Sequence, residues 1–164
     1  MLISKYLKPA LLYKQEIEDK VKEKIYTDEL FYYEGAPGYS LPSIHTEDYN
    51  GSNWDFAIVD DNKLIGYVSF YFDCYARSAT RFGLMSFDPN SNIKIGYAVR
   101  DLIDYIINKL KVHRLEFRAV SGNPVENAYD FMLNKYNVTK LTLRDNTIDV
   151  YGKYHDIYIY EFIF

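Results

Sequence analysis

The chain has 164 residues, of which 48% are apolar and 26% charged, and its formal net charge at pH 7 is -4. This length is sufficient for one domain with a sizeable core and short for two, so we expect a single domain over residues 1–164. The negative charge gives no electrostatic case for nucleic-acid binding and mildly favours cationic or amine partners. No apolar run reaches the length of a membrane span or a signal-peptide core, and the single Cys74 cannot form an intramolecular disulfide. These features predict a reducing, cytoplasmic setting without membrane association.

The first half of the chain predicts one helix, a long loop and three strands. Apolar residues recur at four-residue spacing between Tyr13 and Ile25, which predicts a helix over 9–26. Residues 35–53 are rich in Gly, Pro, Ser and Asn and are predicted to be a loop, which is either a solvated polar segment or a lid over a substrate. That loop carries His45, Glu47 and Asp48. The abundance of aromatic residues, 18 Tyr and 10 Phe, favours extensive sheet. The strands are predicted as an antiparallel meander over 54–59, 63–73 and 77–87.

The hydrophobic period changes after residue 87. A polar loop over 88–96 precedes apolar residues at helical spacing, and together they predict a helix over 96–111 followed by a strand over 113–120. A strand, a helix and a strand within this length predict a crossover that joins two parallel strands. Because a helix start offers unpaired backbone N–H groups and a positive dipole end, the loop over 88–96 is a candidate phosphate cradle.

The last third predicts a capped helix and two closing strands. Asn123, Pro124 and Glu126 occupy the N-cap, the first helical position and the capping-box position of this helix. We expect the helix to bury four residues: Val125, Ala128, Tyr129 and Met132. Strands over 138–144 and 154–164 complete the chain.

This order of elements, over roughly residues 54–164, resembles the GNAT superfamily of acyl-CoA-dependent N-acyltransferases. The family signature is Gln or Arg, two residues, Gly, one residue, then Gly or Ala, at a helix start; Gly96-Tyr97-Ala98 fits its second half, whereas Ile93 stands at the Gln/Arg place. Residues 113–118 look like the strand that follows the cofactor helix, and Asn123 matches the Asn that begins the next helix. Residues 144–145 and 152–156, followed by an alternating strand, resemble the C-terminal segment of the ribosomal-protein acetyltransferase branch. The resemblance implies an α/β (α+β) fold: a mixed, largely antiparallel sheet with a central parallel strand pair, flanked by helices.

The resemblance also implies acetyl-CoA as the acyl donor and a site for it. In such a fold the strand before the loop splays from its neighbour, and its backbone pairs with the pantetheine arm near Met85, Ser86 and Phe87. The pyrophosphate would lie on the helix start, which comprises Ile93, Lys94, Ile95, Gly96, Tyr97 and Ala98. Lys94 is either a phosphate ligand or a solvated lysine. Asn123 is a helix cap that in relatives also reaches the cofactor region.

Transfer of an acetyl group to an amine requires a deprotonated amine, a polarised carbonyl and a proton for the leaving thiolate. The candidate bases are Glu116 and Asp73, with a water relay as an alternative because the strand over 77–87 has no acidic residue. Tyr129 is the candidate acid, although it also lies on the apolar face of its helix and can serve as a core residue. The usual place of the family's tyrosine falls instead on Asp130.

The sequence therefore predicts an acetyl-CoA-dependent N-acetyltransferase that acts on a primary amine of a small molecule or protein by direct attack in a ternary complex. The alternative is a non-catalytic acyl-CoA-binding or regulatory interaction domain on the same fold. Residues 88–99 mimic the start of an EF-hand but lack its Gly and Glu, and the three histidines lack ligand spacing, so no metal site is predicted. The strand over 154–164 can support a homodimer by edge pairing.

Overall fold

The structure, a computed structural model, describes residues 3–25, 32, 44, 52–133 and 136–164. The predicted lid residues His45, Glu47 and Asp48 lie outside the described residues.

The described residues form one mixed sheet of seven strands in the order β1-β2-β3-β4-β5-β7-β6. The strands are β1 Leu7–Pro9, β2 Asn53–Asp60, β3 Lys63–Asp73, β4 Ser78–Ser86, β5 Arg114–Val120, β6 Val138–Ile148 and β7 Tyr154–Ile163. All neighbours are antiparallel except β4 and β5, which run parallel. The predicted fold class, a largely antiparallel sheet with a central parallel pair, is confirmed.

Among the described residues, three α-helices flank the sheet: α1 Lys14–Lys24, α2 Asn92–Asn108 and α3 Glu126–Leu133. The prediction of a loop over 88–96 is partly wrong, because α2 begins at Asn92. The carboxylate of Asp88 accepts a hydrogen bond from the Asn90 N–H at 3.0 Å, and a short 3-10 turn, Pro89–Ser91, leads directly into the helix. Asp and Pro are typical of helix starts, and here Asp88 and Pro89 mark the start about one turn before the position that the apolar spacing indicates.

The two faces of the sheet bury separate cores. On the face covered by α2 and α3, which we call the α2 face, Leu102 and Ile106 of α2 pack with Phe117 of β5. On the opposite face, the α1 face, Ile17 and Val21 of α1 pack against β2 and β3. Of the residues expected to be buried by the last helix, Tyr129 is buried and Val125 and Met132 are partly buried, whereas Ala128 is exposed.

A bulge in β4 precedes the point where the two parallel strands separate. Tyr71 of β3 pairs with Thr80 and Ser69 pairs with Gly83, so β4 carries one extra residue in this interval. Arg81, inside the bulge, has a φ of 53°, a left-handed conformation that is uncommon for a residue other than glycine. Pairing between β4 and β5 ends at Phe82 and Phe117. Beyond that pair the end of β4 has lost its partner on the β5 side, as the resemblance implied.

The prediction that the strand over 154–164 forms an edge is wrong. β7 lies between β5 and β6 and pairs with both, because the chain first forms the outer strand β6 and then returns between β6 and β5. Among the described strands, the outer edge on this side is β6.

Candidate functional site

The separation of β4 from β5 opens onto a cavity of about 1230 Å³, which we call the first cavity. Its floor is the end of β4, from Phe82 to Ser86, and its walls are α2 and the start and inner face of α3. Pockets for drug-sized ligands are commonly about 300–1,000 Å³, so this cavity has room for a long ligand.

The free edge of β4 supplies backbone groups to the first cavity. The Phe87 N–H donates to the Ile65 carbonyl of β3 at 2.9 Å, so Phe87 points its backbone groups away from β5. Successive residues of a strand direct these groups to opposite edges. Leu84 and Ser86 therefore direct theirs toward the gap, where they can pair with an extended ligand that carries amides. Of the three residues proposed to pair with the pantetheine arm, Met85 and Ser86 line the cavity, whereas the Phe87 side chain packs against the α1-face core.

The first turns of α2 contribute one wall. Ile95 and Gly96 line the cavity, and a Cβ added to Gly96 would meet no atom within 4 Å. The other helix-start residues named by the sequence analysis point elsewhere, because only every third or fourth residue of a helix faces one side. Ile93 is 72% exposed, and Ala98 is buried in the core. Lys94 and Tyr97 also point away from the cavity: Lys94 forms an ion pair with Asp60, and the ring of Tyr97 contacts the Arg100 guanidinium.

Tyr129 reaches the first cavity from α3. Its ring stacks on Phe117 at 5.1 Å between centroids and meets the ring of Tyr160 edge-on at 5.3 Å. The residue is only 5% exposed, and its hydroxyl has no hydrogen-bond partner among the described residues. Since no fully buried side-chain oxygen in the described part of the chain lacks a partner, the Tyr129 hydroxyl opens to the cavity. Burial raises the pKa of Tyr129, so this hydroxyl stays protonated and can donate a proton or a hydrogen bond.

Glu116 lies on the α1 face, outside the lining of the first cavity. It is 5% exposed, and its two carboxylate oxygens accept hydrogen bonds from Arg114 Nη2 at 2.6 Å and Arg118 Nε at 2.8 Å. The Nε of Arg114 also donates to Glu161 at 2.7 Å. Both oxygens of Glu116 are thus occupied, and the geometry fits a residue that holds the arginines rather than one that removes a proton from an amine.

The structure does not bring Asp73 to the first cavity. Its carboxylate accepts from the backbone N–H groups of Tyr75 and Ala76, both at 2.9 Å, and so closes the turn between β3 and β4. Asp73 pairs with Ser78 at the start of β4, whereas the cavity lies at the other end of that strand. A base at this end of the sheet is remote from any group bound in the cavity.

Asn123 both caps α3 and lines the first cavity. Its Oδ1 accepts from the Val125 N–H at 3.0 Å, and its Nδ2 donates to the Tyr32 carbonyl at 3.3 Å. Sequence reasoning missed Leu84 and Arg118 as cavity residues. Strand alternation gives Arg118 the same face as Glu116. The point at which β4 and β5 stop pairing, which exposes Leu84 and Arg118 to the cavity, does not follow from the hydrophobic pattern.

Within residues 3–25, 32, 44, 52–133 and 136–164, no group of three or more His, Cys, Asp or Glu side chains could hold a metal ion. In the same ranges no helix is long and apolar enough to cross a membrane.

No protein-family model matches the chain, and a search of curated proteins gives no match. Solved structures do match. A probable acetyltransferase has a TM-score of 0.70 at 17% identity, with 99% of this chain and 95% of that one covered. A dodecameric spermidine N-acetyltransferase from Vibrio cholerae has a TM-score of 0.65 at 18% identity, covering 93% and 88%. A spermidine/spermine N-acetyltransferase from V. cholerae in complex with manganese ions has a TM-score of 0.60 at 16% identity, covering 88% of this chain and 87% of that one. At these identities the likeness is one of fold: the chain has the mixed α/β fold of these acetyltransferases, which is the GNAT-like fold that the resemblance implied.

Proposed function

We propose that the protein is an acetyl-CoA-dependent N-acetyltransferase that transfers an acetyl group to a primary amine. The observation that carries this proposal is the first cavity, which opens where β4 and β5 separate and is bounded by α2 and α3. A free strand edge and a helix start facing one long cavity suit a ligand with an extended amide arm at one end and phosphates at the other.

The residues present fit such a cofactor. Backbone groups of Leu84 and Ser86 would pair with the amides of the pantetheine arm, in the manner of an added strand. The start of α2 would hold the pyrophosphate, and Gly96 allows close backbone approach because it projects no side chain into the cavity. When bound, acetyl-CoA supplies an activated acetyl thioester. Lys94 is less suited to a phosphate than expected, because it is already paired with Asp60.

Tyr129 is the proposed acid. As the amine nitrogen bonds to the acetyl carbon, the carbon–sulfur bond breaks and the departing sulfur needs a proton, which the Tyr129 hydroxyl is placed to donate. The proton lost by the amine passes to water, since Glu116 is held by two arginines and Asp73 is remote. Attack is direct, with both substrates bound together, and it needs no covalent enzyme intermediate.

The engagement of Glu116 favours one alternative, a non-catalytic acyl-CoA-binding or regulatory domain. Under that alternative acetyl-CoA would stabilise the fold, but no amine would be acetylated. Incubation with acetyl-CoA and a panel of primary amines, followed by released thiol and product mass, separates the two. Acetyl transfer to any amine above the rate in buffer supports the enzyme, whereas stabilisation by acetyl-CoA without transfer to any amine supports the alternative.

A homodimer remains part of the proposal, with β6 in place of β7 as the pairing edge. β6 exposes Leu141, Leu143 and Ile148, and one structural neighbour is described as dodecameric. Sedimentation that shows only monomer at high concentration would contradict a dimer.

A further inference from the structure

A second cavity of about 420 Å³ is lined by Arg81, Arg118, Ala119, Val120 and Ile157. Arg118 also lines the first cavity, so the two spaces meet at its side chain. We call this space the arginine cavity. It lies beside the place where β4 and β5 separate, next to the gap through which the acetyl end of a donor in the first cavity would be reached.

The two arginines have guanidinium N–H groups that bind no carboxylate among the described residues. The bulge in β4 directs Arg81 onto the ring of Tyr71, with its guanidinium carbon 5.5 Å from the ring centroid, and Arg81 has no carboxylate partner among the described residues. Toward the described carboxylates Arg118 donates only its Nε, to Glu116 at 2.8 Å, and its side chain is 49% exposed. Guanidinium groups bind carboxylates and phosphates through paired N–H donors, so two such groups in one cavity form a site for an anion.

The local charge favours an anion as well. Three arginines lie in this region, Arg81, Arg114 and Arg118, and the latter two pair with only two carboxylates, Glu116 and Glu161. The cluster therefore keeps one net positive charge. The remaining wall, Val120 and Ile157, is apolar and buried, which suits a short hydrocarbon portion of a ligand beside its anionic group.

We infer that the acceptor is a small primary amine carrying a carboxylate or phosphate, and that Arg81 and Arg118 bind this anionic group in the arginine cavity. The inference rests on the proposed function. An anion held there leaves the amine of a short molecule near Arg118, where the cavities meet. Glu116 then has a positioning role, because it fixes the Nε end of Arg118 and leaves the other nitrogens for the acceptor. A polyamine would meet positive charge at this position, which disfavours it.

Matched acceptor pairs test the inference. L-leucine is compared with L-leucinamide, and O-phosphoethanolamine with ethanolamine, with spermidine as a polycation, by kcat/KM from released thiol. The ratio within each pair, compared between wild type and the R81Q and R118Q variants, cancels the intrinsic reactivity of each amine. R144Q is the control, because Arg144 is an exposed arginine on β6 that lines neither cavity.

We expect at least one anionic acceptor to outperform its neutral partner by about tenfold or more, since a hydrogen bond to a charged group carries that much discrimination. R81Q and R118Q should reduce that ratio by about tenfold while R144Q leaves it unchanged. A preference in the leucine pair identifies a carboxylate, and one in the ethanolamine pair identifies a phosphate. Equal or better use of the neutral amines or spermidine, or a ratio that both variants retain, would overturn the inference.

If no amine is acetylated, the proposed function fails, and binding of the anions decides the inference separately. Thermal unfolding with O-phosphoethanolamine or L-leucine should then show stabilisation in wild type and R144Q that is lost in R118Q. No stabilisation of wild type by either compound would refute the arginine cavity as an anion site.

Discussion

Replacement of Gly96 by aspartate separates binding of the donor from stability of the fold. A side chain at this position enters open space on the cavity side of α2, since an added Cβ meets no atom within 4 Å. Glycine inside a helix is about 0.8–1.0 kcal/mol less favourable than alanine, and aspartate lies between them. The Gly96→Asp variant should therefore unfold at the same temperature as wild type, or slightly higher, when no ligand is present.

Binding should respond in the opposite direction. A carboxylate about 5 Å from a phosphate charge, at the effective dielectric of a protein surface, costs roughly 1–3 kcal/mol, and steric exclusion adds to this. Acetyl-CoA at a hundred times its Kd stabilises the native state by about 2.7 kcal/mol, or roughly 5–11 °C for a chain of this length. A hundredfold weakening reduces the stabilisation to about 0.4 kcal/mol, which is a shift of roughly 1–2 °C.

The assay is thermal unfolding of wild type, Gly96→Asp and Gly96→Ala, each with and without acetyl-CoA. Gly96→Ala is the matched control, because it raises helix propensity without adding charge, and we expect it to be more stable than wild type by up to about 1 kcal/mol. Gly66→Ala supplies the contrast: its Cβ would lie 2.9 Å from the Met85 carbonyl oxygen, so the unliganded protein should lose about 1–3 kcal/mol. A Gly96→Asp variant that keeps the full acetyl-CoA shift would refute the placement of the donor along α2.

Three further predictions follow from the described contacts. Tyr129→Phe breaks no hydrogen bond among the described residues and keeps the ring, so the unfolding free energy should change by less than about 0.5 kcal/mol. The kcat for acetyl transfer should fall about 100-fold or more, because the acid is lost. An unchanged kcat would show that Tyr129 is not the acid. Burial raises the pKa of Tyr129 above its ordinary value of 10.0, so the stability due to its neutral form is complete below about pH 10 and is lost as pH rises further. In denaturant titrations above this pH, wild type should therefore lose stability more steeply than Tyr129→Phe. Parallel curves would contradict the assigned direction of the pKa shift. Glu116→Gln removes the carboxylate that Arg118 binds and leaves Arg114 with Glu161 alone, so it should lower the unfolding free energy by roughly 2–4 kcal/mol in urea denaturation. A change below about 0.5 kcal/mol would show that the ion pairs do not hold this part of the sheet.

The sequence was sufficient for most of the strands and helices and for two residues of the candidate site. Alternation and helical spacing located every strand from Asn53 onward and both later helices, because each element buries one periodic face. The cap at Asn123 and the aromatic Tyr129 could be assigned to one helix, and that helix does bring both to the first cavity.

Other features depend on tertiary structure that a one-dimensional pattern does not contain. The order of strands in a sheet leaves no periodic signal in the sequence, so the position of β7 between β5 and β6 was missed. Because α2 begins at Asn92 in place of residue 96, Lys94 is already helical, and it shares with Tyr97, three residues later, a side of the helix that does not line the cavity. Ion pairing across strands likewise determines the environment of Glu116, because its partner Arg114 also binds Glu161, which is 47 residues distant from Arg114 in the chain.

The central claim is that acetyl-CoA lies across the free edge of β4 and the start of α2. Amide hydrogen exchange, resolved by residue and measured with and without acetyl-CoA, tests it most directly. We predict slower exchange of the Leu84 and Ser86 amides and of the amides at the start of α2, with plain adenosine phosphates slowing exchange at α2 alone. Protection by acetyl-CoA elsewhere in the chain, with Leu84 and Ser86 unchanged, would contradict the account.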